Sequence, residues 1–129
     1  MKRIVIADDS GTARLFIKRC LEIAGLQDAE FLEAANGREA LDLLKEKSAD
    51  LVVTDLIMPE MNGVSLLKRI KSSPRLHETP VIVVTSAANP QKVEELMQMQ
   101  ALAVVSKPIS PPDIAEAIQP LIPDEEDNP

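Results

Sequence analysis

The chain has 129 residues, enough for one domain with a real core, and is 45% hydrophobic and 27% charged. Its 14 Lys and Arg against 21 Asp and Glu leave a net charge of −7, which excludes a nonspecific nucleic-acid or membrane-surface binder. No run of about 18 apolar residues is available to span a bilayer. The apolar run after Met1-Lys2-Arg3 is too short for a signal peptide, and the lone Cys20 excludes an internal disulfide, so the expected compartment is the cytoplasm.

Short apolar, β-branched runs alternate with helical patterns. Strands are expected near 3–8, 30–34, 51–55, 81–85 and 102–106. Several are continuously apolar, such as Val81-Ile82-Val83-Val84, the mark of parallel strands covered on both faces. The first helix should run over about 11–24, with Ala13, Phe16, Ile17, Cys20, Leu21 and Ala24 on its inner face and Gly25 as its stop. The second opens at Asn36 with Glu39 three residues on, a capping-box variant, and buries Ala40, Leu41 and Leu44. The third follows Asn62-Gly63 and buries Leu66, Leu67 and Ile70. The fourth has Asn89 as cap and Pro90 at its first position. It carries Met97 and Met99 as packing residues, Met99 the more open of the two. The fifth is capped by Ser110, buries Ile114, Ala115 and Ile118, and is ended or kinked by Pro120. Residues 123–129 read as an acidic disordered tail or linker stub. The expected fold is α/β, a doubly wound five-stranded parallel sheet of (βα)5 type, with the domain occupying 1–122.

Acidic residues mark where the chemistry lies. Asp8-Asp9 closes the run Ile4-Val5-Ile6-Ala7, and Asp55 closes Leu51-Val52-Val53-Thr54. Ligands bind at the carboxyl ends of the strands of an open parallel sheet. Three acids meeting there would repel by about 3 kcal/mol per pair at ~5 Å and an effective dielectric near 20. A hard cation relieves that, and Mg²⁺ (or Mn²⁺) takes oxygen ligands of this kind. Thr85 and Lys107 fall at two further strand ends. A carboxylate nucleophile, a cation site, a hydroxyl and an ammonium together point to phosphoryl transfer onto Asp55. Taken singly, each residue has a plainer reading: Asp8 or Asp9 as complement to a helix dipole, Thr85 as a strand end with Ser86 its rival, Lys107 as a solvated lysine. Their common position at one sheet edge outweighs those readings. His77 reads as a loop residue, and Met58 and Met61 as the lining of a kinase-docking edge.

With Asp8-Asp9-Ser10, Asp55-Leu56-Ile57-Met58-Pro59-Glu60-Met61-Asn62-Gly63, Pro80 to Ala87 and Ser106-Lys107-Pro108, the chain resembles the receiver domains of bacterial two-component response regulators over about 1–122. The resemblance implies a flavodoxin-like fold with strand order 2-1-3-4-5. It implies Asp55 as phosphoacceptor, Asp9 as direct metal ligand, Asp8 acting largely through water, and the main-chain carbonyl of Ile57 as the third protein oxygen on the metal. It implies Thr85 as the switch hydroxyl, Lys107 as the family's lysine, and a cis Lys107-Pro108 bond. Implied partners are a sensor histidine kinase or phosphotransfer protein and a downstream protein engaged through residues 89–119. No direct nucleic-acid contact and no membrane insertion are expected. The protein would serve as a single-domain regulator, a phosphorelay intermediate, or a receiver from a larger regulator. It would be a phosphoacceptor rather than an enzyme.

The chain departs from the family pattern at four points. Val104 replaces the usual aromatic, which removes a rotamer switch, and Ile109 stands where many relatives carry Phe. Ile57 and Ala87, two residues past Asp55 and Thr85, cannot orient water by hydrogen bonding, so slow loss of phosphate is expected. An aspartyl-phosphate hydrolase of the haloacid dehalogenase type would want an acid at Ile57. A silent scaffold would be expected to have lost one of the five site residues.

Overall fold

A computed structural model describes residues 1–122; the acidic segment 123–129 lies outside the described residues. Five strands, β1 (Arg3–Ala7), β2 (Glu30–Ala34), β3 (Leu51–Asp55), β4 (Val81–Thr85) and β5 (Ala103–Ser106), alternate with five helices, α1 (Gly11–Leu21), α2 (Gly37–Glu46), α3 (Gly63–Ser72), α4 (Pro90–Gln98) and α5 (Pro111–Ile118). All strand pairs are parallel, in the order β2-β1-β3-β4-β5. The expected α/β class and strand order are therefore observed.

Alternation along the strands divides the core into two layers. Val5, Ala7, Val52, Val81 and Val83 pack with Leu44, Leu66, Ile70 and Leu96 on the α2, α3 and α4 face. Ile4, Ile6, Leu51, Val53, Ile82 and Val84 pack with Ile17, Leu21, Ile114 and Ile118 on the α1 and α5 face. Both faces of the central strands are buried, which is why these segments read as unbroken apolar runs.

Side-chain caps start every helix. Ser10, Asn36, Asn62, Asn89 and Ser110 each accept the backbone N–H three residues ahead. Each such cap is worth about 1 kcal/mol. Glu39 completes the capping at α2 by accepting the Ala35 N–H at 2.9 Å. After α1 the chain makes one wider, π-type turn over Glu22–Leu26, where Gly25 takes a φ of 110° that residues with a Cβ avoid. Pro120 follows α5 within a 3₁₀ turn, Gln119–Leu121, so the predicted break falls at Ile118.

Several side chains depart from expectation. Phe16 is 48% exposed, because the inner stripe of α1 is the narrower set Ile17, Cys20 and Leu21. On α5, Ala117 rather than Ala115 joins Ile114 and Ile118 in the core. The methionines of the fourth helix exchange roles: Met97 is 44% exposed, while Met99, at the helix end, packs on the core. Met58 is buried and Met61, half-buried, packs against the core, so neither stands out as the expected edge; the exposed large apolar residue of that loop is Ile57, at 66%. Strand β1 ends at Ala7 and β5 begins at Ala103, each one residue inside its expected range. His77 is exposed in the α3–β4 turn. Among the described residues no helix is long and apolar enough to cross a membrane.

Candidate functional site

The sheet register creates the site. Ala7 pairs with Thr54, Asp55 with Val84, and Thr85 with Ser106. One residue beyond these rows, at the carboxyl edge, come Asp8 after Ala7 and Lys107 after Ser106. Residues nearly a hundred positions apart therefore share one edge.

Asp8 is buried, at 1% exposure. Its Oδ1 accepts the Ser10 N–H at 2.9 Å, and its Oδ2 lies 2.9 Å from the Lys107 ammonium. The same ammonium stands 3.5 Å from Asp55 Oδ2, and Asp55 Oδ1 accepts the Leu56 N–H at 2.8 Å. Asp9 is exposed at the rim. Asp8, Asp9 and Asp55 each offer one carboxylate oxygen, and the three oxygens lie within 4.8 Å of one another. Three hard oxygen donors at that separation fit a small divalent cation. Thr85 is buried at the end of β4, and its hydroxyl accepts the Ala87 N–H at 3.0 Å; Ser86 is exposed. Lys107 N–H donates to the Thr85 carbonyl at 2.9 Å, and the Lys107-Pro108 bond is cis.

Close backbone contacts fix the loop after Asp55. Gly63 N–H donates to Leu56 O at 2.8 Å, and a Cβ on Gly63 would collide with the Asp55 carbonyl oxygen. On its other side the loop meets Gly37, whose N–H donates to Met61 O at 2.9 Å. The Thr54 hydroxyl donates to Asp55 O at 2.9 Å.

Residues 4–119 match the response regulator receiver domain. The chain belongs to the response regulator receiver family. The receiver is 36% identical over 118 residues to the chemotaxis protein CheY of Thermotoga maritima, covering 91% of this chain and 94% of that one. It is 34% identical over 118 residues to the polar-differentiation response regulator DivK of Brucella anthropi, covering 92% and 94%. Among solved structures, the signal receiver domain of a DNA binding response regulator from Colwellia psychrerythraea 34H superposes with a TM-score of 0.84 at 29% identity, covering 94% of this chain and 98% of that one. Vibrio cholerae CheY4 gives 0.81 at 28% identity, covering 95% and 99%. Phosphorylation-controlled switching is the general function of such receivers, and the receiver domain is a regulatory phosphoacceptor.

The electrostatics of the receiver site are those of crowded acids held by one cation. Burial raises the Asp55 carboxyl above its ordinary value, and the Asp8 charge adds to this; Lys107 and the Leu56 N–H act against it. Burial works against the Lys107 ammonium too. The hydrogen bond to Asp8 and the charges of Asp55 and Asp8 outweigh that burial and hold it above the usual lysine value.

The structure thus brings Asp8, Asp55, Thr85 and Lys107 to one edge with Asp9 at its rim, and it places Ile57 outward in the adjoining loop. Sequence reasoning does not reach Arg14. Its Nη1 donates to the Asp8 main-chain oxygen at 2.5 Å, and its Nε pairs with Glu33 at 2.8 Å. The available signal is its place one turn into α1, directly above the Ser10 cap, where a long side chain points back toward the preceding loop.

Proposed function

We propose that this receiver accepts a phosphoryl group on Asp55 from the phosphohistidine of a sensor kinase or phosphotransfer protein and thereby changes its affinity for a downstream protein. The observation that carries this reading is the placement of the Asp55 carboxylate 3.5 Å from the Lys107 ammonium and within reach of Asp8 and Asp9.

In the reaction an Asp55 carboxylate oxygen attacks phosphorus, the bond from phosphorus to the donor nitrogen breaks, and an acyl phosphate forms. Asp8, Asp9 and Asp55, with the Ile57 carbonyl, would hold Mg²⁺ (or Mn²⁺). When bound, the cation neutralises charge on the transferring oxygens. Lys107 supplies a fixed positive charge beside the same oxygens. The Thr85 hydroxyl exchanges its hydrogen bond from Ala87 for one donated to the phosphoryl group. That exchange shifts a two-state equilibrium in the surrounding segments.

With Val104 in place of an aromatic, the signal passes through backbone and small side chains toward residues 89–119. That face offers β5 as a sheet edge, the exposed Met97, and the acids Glu94, Glu95 and Asp113. It suits a protein partner rather than a nucleic acid. Leu15 and Phe16 on α1, and Ile57 in the loop after β3, are exposed apolar side chains. The protein would act in the cytoplasm.

Intact mass after incubation with Mg²⁺ and a small acyl-phosphate donor tests the reading. A gain of one phosphoryl group in the wild type, absent in Asp55→Asn and without Mg²⁺, is expected. A folded, Mg²⁺-bound wild type that gains nothing from either the small donor or a panel of kinases would overturn it.

A further inference from the structure

We infer that Arg14, tied in place by Glu33, is a positioning residue that sets the divalent-cation affinity of the site by fixing the peptide unit between Asp8 and Asp9. The inference rests on the reading of Asp8, Asp9 and Asp55 as the cation site.

The chain leaves β1 at Ala7 and enters α1 at Gly11, so only Asp8, Asp9 and Ser10 make the turn. Asp8 is held at every polar atom. Its N–H donates to Ala34 O at 3.0 Å, Oδ1 accepts Ser10 N–H, Oδ2 meets Lys107, and its carbonyl accepts from Arg14 Nη1 at 2.5 Å. That carbonyl belongs to the peptide plane that leads into Asp9, and the plane's rotation decides where the Asp9 Cα–Cβ bond points. Asp9 is exposed and is the least constrained of the three acids. An error in its direction costs one of the three carboxylate oxygens offered to the cation.

Arg14 suits this task because its guanidinium is planar and its donors are fixed in a fork. Nη1 holds the Asp8 carbonyl while Nε holds Glu33 of β2 at 2.8 Å. The fork thus ties the turn to the neighbouring strand, independently of the Lys107 contact. Partners that orient metal ligands from outside the coordination sphere commonly affect affinity 10–100-fold.

Calorimetric titration of Mg²⁺ into the wild type, Arg14→Ala, Arg14→Lys and Glu33→Gln tests this, with foldedness checked by far-UV circular dichroism. Asp50→Asn serves as a control, since Asp50 ties Lys2 and Arg3 N–H groups away from the site. Arg14→Ala should weaken Mg²⁺ binding about tenfold. Arg14→Lys should lose most of that affinity although it keeps the charge, because an ammonium cannot serve both acceptors. Glu33→Gln should weaken binding in the same direction but by less than Arg14→Ala, and Asp50→Asn should leave the affinity unchanged. An Arg14→Ala affinity within twofold of wild type, or full restoration by lysine, would overturn the positioning role while leaving the phosphoacceptor reading intact. A wild type that binds no Mg²⁺ would overturn both.

Discussion

The Nζ of Lys107 lies 2.9 Å from Oδ2 of Asp8, and 99 positions of chain separate the two residues. The pair links the last strand end to the first. It also leaves Asp55, 3.5 Å from the same ammonium, as a second claimant on one positive charge.

Two buried carboxylates sharing one cation imply that the site is destabilising when metal is absent. Folding raises the Asp55 pKa, through burial first and the Asp8 charge second. A raised acid holds its proton more firmly in the folded state. Its penalty is therefore absent below the unfolded value of about 3.9 and sets in as pH rises toward the raised folded value. Asp55→Asn should accordingly be more stable than wild type at pH 7 without metal, seen as a higher Tm. The difference should shrink toward zero below pH 4. Thermal melts followed by far-UV circular dichroism measure it, since the chain has no Trp or Tyr.

Lys107→Met should act in the opposite sense. Removing the ammonium leaves Asp8 and Asp55 facing each other unpaired. Loss of one partner from a fully buried pair costs 3–5 kcal/mol, and the partial exposure of Lys107 reduces this to about 1–3 kcal/mol. Saturating Mg²⁺ should narrow the gap to wild type, because Lys107 no longer competes with the cation for Asp8 and Asp55 and the variant therefore gains more from binding it. Urea melts with and without Mg²⁺ would show the rescue; a deficit that ignores Mg²⁺ would place the damage outside the charge cluster.

Gly63→Ala should disrupt the site although it touches no acid side chain. The new Cβ meets the Asp55 carbonyl and the Leu56 Cα, so the backbone at the end of β3 must move. We expect a loss of about 2–3 kcal/mol together with a reduced rate of phosphoryl uptake, read by intact mass. Unchanged uptake at full stability would show that the loop yields easily.

The acyl phosphate should be long-lived. Ile57 is apolar and 66% exposed, and Ala87 is exposed with no polar side-chain atom, so neither directs water at Asp55. Ile57→Asn with Ala87→Glu should speed phosphate loss by about tenfold, below the ~10² of a fully positioned general base. The decay of the phosphorylated mass peak measures this. A wild type that already loses phosphate as fast as the double variant would refute the role assigned to these positions.

Much of this protein is legible in its sequence because the signals are local. A continuously apolar run bounded by an acid specifies a strand covered on both faces, and Asn or Ser three residues before a free N–H specifies a helix start. The five site residues could be named because a parallel sheet sends every strand end to the same edge. Tertiary structure alone decided what depends on neighbouring elements. Periodicity defines a stripe on α1 but not its width, which the packing of α5 and β1 narrows to Ile17, Cys20 and Leu21 and so leaves Phe16 outside. The same limit applies to Met97 and Met99, whose exposure turns on where α4 ends. Which acid Lys107 approaches more closely, and what the Arg14 fork grips, follow from the strand register and from side-chain reach between β1, β2 and β5. Those contacts join residues distant in sequence, and no local pattern encodes a distance that only the assembled sheet sets.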